Sequence, residues 1–243
     1  MDGGFLIKIA DKLLEGLFVS RLNRFVGEVN LKGNKILCHI LNPGRMLRFL
    51  KPGTKVMVAH RPSPTRKIPY SLIYVVEEKT LILVDSQVPN TIFYEALQAH
   101  LIPQFAKTHI IEKERPYGHD FKSKIDFLLD QHIFIEIKSS NYEEAGIGYF
   151  PDAPSIRAQK HVKELIDVLE KSDQNQAWVI FLAQRTDVSE IRPLDKIDPE
   201  FGRLLRYGVK KGVKTAAYML DFLNNGCEIR LGRELQVNLE EYK

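Results

Sequence analysis

The chain is poor in the residues that most often announce a cofactor or a compartment. It has two cysteines in 243 residues. Cys38 and Cys227 lie too far apart in sequence to define a disulfide framework. There is no C-x-x-C and no pair of histidines at helical ligand spacing, which argues against a zinc site. No run approaches the roughly 20 apolar residues of a membrane helix. The first residues carry Asp2 and no basic cluster, unlike a signal peptide. These absences predict a reduced, cytoplasmic compartment and no membrane partner. There is no Walker A motif and no G-x-S-x-G, and Gly146-x-Gly148 lacks the remaining spacing of a dinucleotide fingerprint, so no nucleotide cofactor is expected. The single tryptophan, Trp178, sits in an apolar run and reads as core.

What is present is an ordinary globular composition. Hydrophobic residues make up 44% and charged residues 27%, enough to build a core and too mixed for disorder. The 35 basic and 31 acidic residues leave a net charge of +4. That permits nucleic-acid binding without requiring it.

Residues 1–86 read as short strands: Phe5–Ile9, Leu17–Arg21, Phe25–Leu31, Lys35–Ile40, Lys55–Ala59, Tyr70–Val76 and Thr80–Val84. Lys32-Gly33-Asn34 marks a hairpin. Arg45 to Leu50 reads as one helical turn, and Asn42-Pro43-Gly44 and Pro52-Gly53 as breaks. Short strands around one interposed turn predict a small Greek-key, OB-like β-barrel. The loop from His60 to Lys67 holds Arg61, Arg66 and Lys67.

Residues 87–243 read differently. Pro89-Asn90 introduces a helix from Thr91 to about Leu101, ended by Pro103. Three strands follow, Thr108–Glu114, Lys124–Leu129 and His132–Lys138, with Pro116-Tyr117-Gly118 and Asp130-Gln131 as turns. Ser139 to Ala153 reads as a loop. A helix over Ser155–Lys171 has Val162, Leu165, Ile166 and Leu169 at i, i+3, i+4, i+7. A buried strand (Ala177–Ala183), a helix (Pro199–Lys211), a strand (Lys214–Leu220) and a possible edge strand (Cys227–Leu231) complete the chain. Three consecutive strands predict an antiparallel meander, and the helix-linked strand a parallel crossover. The expected class is therefore an α+β/α/β chain: the OB-like β-barrel, then a mixed sheet flanked by helices.

Within that second part, acidic residues interrupt apolar strands. Glu136 and Lys138 are two apart in Ile133-Phe-Ile-Glu-Ile-Lys138 and share a strand face. Asp126 lies across the turn at Asp130-Gln131. Ideal pairing about that turn would set residue 126 near 135, so a one-residue bulge or slip is needed to bring Asp126 to Glu136. Two carboxylates there can hold a hard cation such as Mg²⁺ (or Mn²⁺), and a lysine beside it can serve a water and the phosphate charge. The plain alternative is an ion pair on a solvated sheet face. Burial inside apolar strands favours the metal reading, since unpaired charge there is costly.

Asp126, Glu136 and Lys138 resemble the PD-(D/E)-x-K nuclease core, in which they would be the catalytic set with the carboxylates as metal ligands. The chain as a whole, from about Leu17 to Leu231, resembles the sugar fermentation stimulation protein family. The residues that carry this are Arg24-Phe25, Asn42-Pro43-Gly44-Arg45-Met46, Val88-Pro89-Asn90, Lys124-Ile125-Asp126-Phe127-Leu128, Glu136-Ile137-Lys138-Ser139, Phe150-Pro151-Asp152-Ala153 and Arg157-Ala158-Gln159-Lys160-His161. The resemblance implies an OB-like domain, a restriction-endonuclease-like domain, DNA binding with little sequence preference, and a regulatory role in sugar, chiefly maltose, metabolism. The sequence departs at Pro43, where the family's turn carries threonine, so no hydroxyl is available there to meet a phosphate.

The remaining candidates keep two readings each. Glu95 is a third acidic ligand or a solvated helix residue. His161 faces the metal site or is structural. Arg157 and Lys160, like Arg66 and Lys67, meet phosphates or are simply exposed, and Arg45 in the matched turn joins the candidate DNA contacts. Two functions stay open: DNA binding without chemistry, and a Mg²⁺-dependent DNA endo- or exonuclease. The sequence sets no oligomeric state.

Overall fold

The computed structural model describes residues 5–44, 46–118 and 121–241. The chain divides into two compact units. The first comprises residues 1–93, 184–186 and 220–231, the second residues 94–183, 187–219 and 232–243.

The N-terminal strands are β1 (Ile7–Lys8), β2 (Leu13–Arg21), β3 (Val26–Leu31), β4 (Asn34–Ile40), β5 (Lys55–His60), β6 (Tyr70–Glu77) and β7 (Thr80–Leu83). Strands β2 to β7 form one sheet in the order β4-β3-β2-β5-β6-β7, and β4 also pairs with β6, so the circuit of pairings closes as an OB fold requires. The hairpin between β3 and β4 turns on Lys32 and Gly33, both at positive φ, the geometry whose twist matches that of the strands. Met46 to Leu50 makes the single turn expected, closed by the Leu50 N–H on the Met46 carbonyl.

Strand β2 begins four residues earlier than the apolar pattern suggests. Its first half pairs with β5 and its second half with β3. Gly16 allows this: a Cβ there would lie 2.6–2.9 Å from Leu31, Val29 and the Asn30 carbonyl. A strand glycine where another strand passes this closely carries no apolar signal for a sequence pattern to register. Phe18, Val29, Ile40, Phe49, Val56, Leu72 and Ile82 are among the side chains filling the interior.

The chain continues with α1 (Val88–Gln98), β8 (Ile111–Tyr117), β9 (Ser123–Leu129), β10 (Ile133–Ser140), β11 (Tyr142–Glu144), β12 (Ile147–Phe150), α2 (Ile156–Lys171), β13 (Gln176–Ala183), β14 (Glu190–Pro193), α3 (Pro199–Lys210), β15 (Lys214–Leu223) and β16 (Glu228–Val237). The larger sheet is mixed, in the order β11-β12-β14-β16-β15-β13-β10-β9-β8, with β1 paired to β16. The meander β8-β9-β10 is antiparallel, and β13 is parallel to β10 after the α2 crossover, as the sequence leads one to expect. Ser155 caps α2 by accepting the Ala158 N–H, and Asp198 caps α3 by accepting that of Phe201. Asp198 also accepts from the Ser155 N–H and the Gln159 amide, so one buried carboxylate fixes the starts of both helices.

Three features correct the sequence reading. The segment from Ser139 to Ala153 is not a loop: it contains β11 and β12, turned at Ala145 and Gly146 with positive φ. Strand β14 went unrecognised, because Glu-Ile-Arg-Pro is too short and too polar to stand out. Strand β16 is ten residues long and lies inside the sheet order between β14 and β15, not at an edge. In addition, Trp178 is only partly buried, stacked edge-on against Phe105 with Lys214 over its ring; the indole occupies the rim of the core.

Candidate metal centre

The turn after β9 sets the geometry of the site. Leu129 pairs with Ile133, so three residues, Asp130, Gln131 and His132, separate the strands instead of two. Asp130 and Gln131 adopt φ of 46° and 64°. The additional residue supplies the slip that the sequence demanded, and counting down the ladder sets Asp126 opposite Glu136. The ladder itself ends one step earlier, at Ile135 and Phe127. Beyond it, Asp126 Oδ2 accepts the Ile137 N–H at 2.7 Å, a side chain replacing a backbone partner.

Glu136 and Lys138 are 3% and 7% exposed. Lys138 Nζ donates to Glu136 Oε1 at 2.6 Å. His161, buried on α2, places Nδ1 against the same oxygen, and Arg157 Nε donates to its Nε2 at 3.4 Å. Burial opposes ionisation of Glu136, but the Lys138 ammonium and the His161 hydrogen bond outweigh it and hold the carboxyl below its ordinary value. All of these contacts fall on Oε1. Glu136 Oε2 is buried with no hydrogen-bond partner. A buried carboxylate oxygen left this way fits a hard cation, which takes oxygen ligands and asks no proton of them.

Two residues that the sequence did not single out join this cluster. Glu164, one turn beyond His161 on α2, is 5% exposed. Its Oε1 accepts from Ser123 Oγ at 2.8 Å and lies 3.4 Å from Lys160 Nζ, while Oε2 has no partner. Gly118, at φ +82°, lets the carboxylate rest on bare backbone: a Cβ there would be 2.4 Å from Oε1. Tyr117 is buried and its hydroxyl also has no partner. Its burial, and then the charges of Glu136, Glu164 and Asp126, push its pKa far above the ordinary value, so the phenol keeps its proton and remains a donor. The signal for Glu164 was available: it lies three residues from His161, on the flank of the buried stripe of α2. Tyr117 reads in sequence only as part of a turn.

The fold therefore gathers Asp126, Glu136, Lys138 and His161, with Arg157 at the exposed end. Lys160 is half-exposed beside Glu164. Glu95 is partly buried on α1. Among the described residues no three histidine, cysteine, aspartate or glutamate side chains form a ready group for one ion. In the first unit, Arg66 donates to Ser71 Oγ at 3.0 Å and Lys67 is exposed. Arg45 lies outside the described residues.

Residues 87–226 match the family described as the sugar fermentation stimulation protein RE domain, and residues 19–84 match the SfsA N-terminal OB domain. The chain belongs to the sugar fermentation stimulation protein family. It is 38% identical over 225 residues to the homolog from Caldanaerobacter subterraneus subsp. tengcongensis, covering 91% of this chain and 96% of the relative. The homolog from Thermoanaerobacter sp. is 40% identical over 221 residues, 89% of this chain and 94% of the relative. SfsA of Pyrococcus furiosus, whose structure was solved in complex with Ca²⁺, is similar with a TM-score of 0.84 and 30% identity, over 96% of this chain and 98% of that one. Both parts of the expected fold class thus hold for this SfsA-family chain. Among its described residues no helix is long and apolar enough to cross a membrane.

Proposed function

We propose that the protein binds DNA with little sequence preference and holds one divalent cation between Asp126 and Glu136, in a site built to hydrolyse phosphodiester bonds. The observation that carries this is the buried, unpartnered Glu136 Oε2 beside Asp126, with the Lys138 ammonium two residues along the same strand. The cation, Mg²⁺ or Mn²⁺ in use, would supply Lewis acidity toward phosphate and water. A lysine ammonium cannot ligate a cation, so Lys138 acts by charge and by orienting a water. Glu136 and His161 keep it in place, and the exposed Arg157 offers a fork for a phosphate at the rim. The Ca²⁺ complex of the Pyrococcus furiosus relative supports a divalent cation. The division into OB and nuclease-like domains near residues 86 and 87, the contribution of Arg66 and Lys67 to DNA binding, a cytoplasmic location consistent with two free thiols, and a regulatory part in sugar metabolism belong to the same reading.

A second reading, DNA binding without cleavage, is favoured by one contact. Lys138 gives one of its three donors to Glu136 at 2.6 Å and is 7% exposed, so its remaining donors do not face open solvent. Plasmid and single-stranded DNA incubated with Mg²⁺, Mn²⁺ or chelator separate the two. Cation-dependent cleavage lost in Lys138→Ala, with DNA affinity little changed, supports hydrolysis. Shifted DNA without cleavage under any cation leaves the binding function alone. Affinity that does not fall between low and physiological salt would sink both, since contacts to phosphate release counterions.

A further inference from the structure

The first unit has a concavity of about 440 Å³ lined by Arg21, Asn23, Arg24, Pro43, Gly44 and Leu47, a volume in the range of ligand clefts. One side chain frames it. The Arg21 guanidinium donates to the carbonyls of Asn23 and Arg24 and to those of Asn42 and Gly44, at 2.5–3.3 Å, and so ties the β2–β3 loop to the segment that follows β4. Asn42 fixes that segment in turn, accepting the Gly44 N–H and donating to the Val84 carbonyl. The walls are therefore held before anything binds, which lowers the cost of ordering them. Two arginines and no carboxylate are among the described residues that line the concavity. Arg24 is exposed. Burial, and then the charge of Arg24, lower the Arg21 pKa. Beside these charges stand apolar surfaces. Leu47 is 69% exposed, and Pro43 brings a ring without a hydroxyl. Leu22 and Phe25, next to the lining residues in the chain, are exposed as well, with Arg24 over the Phe25 ring at 5.3 Å.

We propose that this concavity seats one nucleotide of single-stranded DNA, with its phosphate on the Arg24 guanidinium and its base against Leu47 and Pro43. The proposal deepens the DNA-binding reading above and rests on it. Guanidinium and phosphate match in charge and in fork geometry. The exposed apolar side chains decide the form of the DNA. A duplex keeps its base faces stacked inside and presents sugar and phosphate outside, so it would leave Leu47 and Pro43 uncovered. A single strand can turn a base face outward and cover them, whichever base it carries. The concavity thus favours unpaired strands while adding little sequence preference. Arg21 is a positioning residue, since its donors go to the four carbonyls that shape the walls.

The test is fluorescence anisotropy of the full chain in chelator, which keeps cations at the candidate metal centre out of the measurement. The probes are oligo-dT, an abasic strand, a duplex and oligo-rU, all of one length. The parent binds oligo-dT more tightly than the abasic strand, and Leu47→Ala reduces that ratio by about 5- to 20-fold. Arg24→Gln weakens oligo-dT and the abasic strand alike and makes the salt slope shallower by about 0.7, the share of one phosphate contact. A parent that binds oligo-dT and the abasic strand equally overturns the proposal, as does a ratio that Leu47→Ala leaves unaltered. Equal losses on oligo-dT and duplex in Leu47→Ala overturn the assignment to single strands, and tighter binding of oligo-rU than of oligo-dT overturns the assignment to DNA. Should Leu47→Ala not fold, a salt slope in Arg24→Gln equal to the parent's overturns the proposal in its place. Failure of the parent to bind any probe removes the DNA-binding reading itself, whereas duplex binding without a preference for oligo-dT removes only the role of the concavity.

Discussion

Strands β6 and β10 are both buried, and they use burial in opposite ways. In β6 the run from Ser71 to Val75 is sealed, with Leu72 and Tyr74 fully inaccessible, and its buried positions hold no acid or base other than Tyr74. The Tyr74 hydroxyl donates to the Gly226 carbonyl. In β10 the alternating isoleucines pack one face, and the other face encloses Glu136 and Lys138. Cohesion explains the first strand completely. It does not explain the second, because apolar side chains of similar volume would hold β10 in place at least as well. The buried pair therefore reflects use, at a stability cost that apolar side chains in its place would not carry.

Removing one charge should give the largest effect. Lys138→Met leaves Glu136 buried beside a neutral neighbour and should lower unfolding free energy by about 3–5 kcal/mol in chelator. Added Mg²⁺ should recover more of this loss than it adds to the parent, because a cation replaces the missing ammonium. Denaturant melts with and without Mg²⁺ measure both terms, and a cation-independent loss would mean that β10 uses its lysine only for packing. Leu72→Ala in β6 should cost about 2–5 kcal/mol, the transfer and cavity terms together, and Mg²⁺ should leave that value unchanged.

Acid provides the next comparison, since two buried carboxylates, Asp85 and Glu136, are shifted in opposite directions. Burial raises Asp85 above the usual carboxylate range against the opposing Gln87 N–H. Its stabilising contribution is complete below the unfolded value and is lost as pH rises through the folded one. Glu136 is lowered, so its contribution is present above the unfolded value and is lost as pH falls through the folded one. Asp85→Asn should therefore raise stability slightly at neutral pH, and Glu136→Gln should flatten the loss in acid. Stability curves of the two variants from pH 3 to 8, in chelator, would show a common sign if the contrast is false. The smallest perturbation concerns the thiols. Cys38 is buried and pushed up to about 12, so a thiol reagent at neutral pH should label the partly exposed Cys227 and leave Cys38 until unfolding. Equal labelling rates in the native protein would contradict this.

The sequence made the fold legible wherever period and burial coincide. The meander, the α2 crossover and the closed circuit of short strands follow from alternating or helical apolar patterns with turn residues between them. It failed where a strand is short and half-polar, as in β11, β12 and β14, or where a glycine replaces the expected side chain, as at Gly16. Of the candidate site, Glu136 and Lys138 were legible because charge two apart in an isoleucine-rich strand has few structural uses. Glu164 was missed because a glutamate on a helix is ordinarily exposed, and its burial depends on Gly118 and Ser123, more than forty residues earlier in the chain. Tyr117 was hidden inside a turn signal.

The turn Asp130-Gln131-His132 has a consequence for how this chain can change. Its residues are not part of the site: Asp130 accepts the His109 and Ile110 N–H groups and, like Gln131, sits at positive φ, so substitution there costs the turn some stability and leaves the site's side chains as they are. Its length is another matter. Deleting one residue would slide β10 past β9 by one position and part the Asp126 carboxylate from the Ile137 amide without altering any residue of the site. The tight loop between β3 and β4 has no such tie to distant chemistry. In this family, insertion and deletion should accordingly be scarcer in the first turn than residue exchange, so that the site is written partly in a count of residues and not only in their identity.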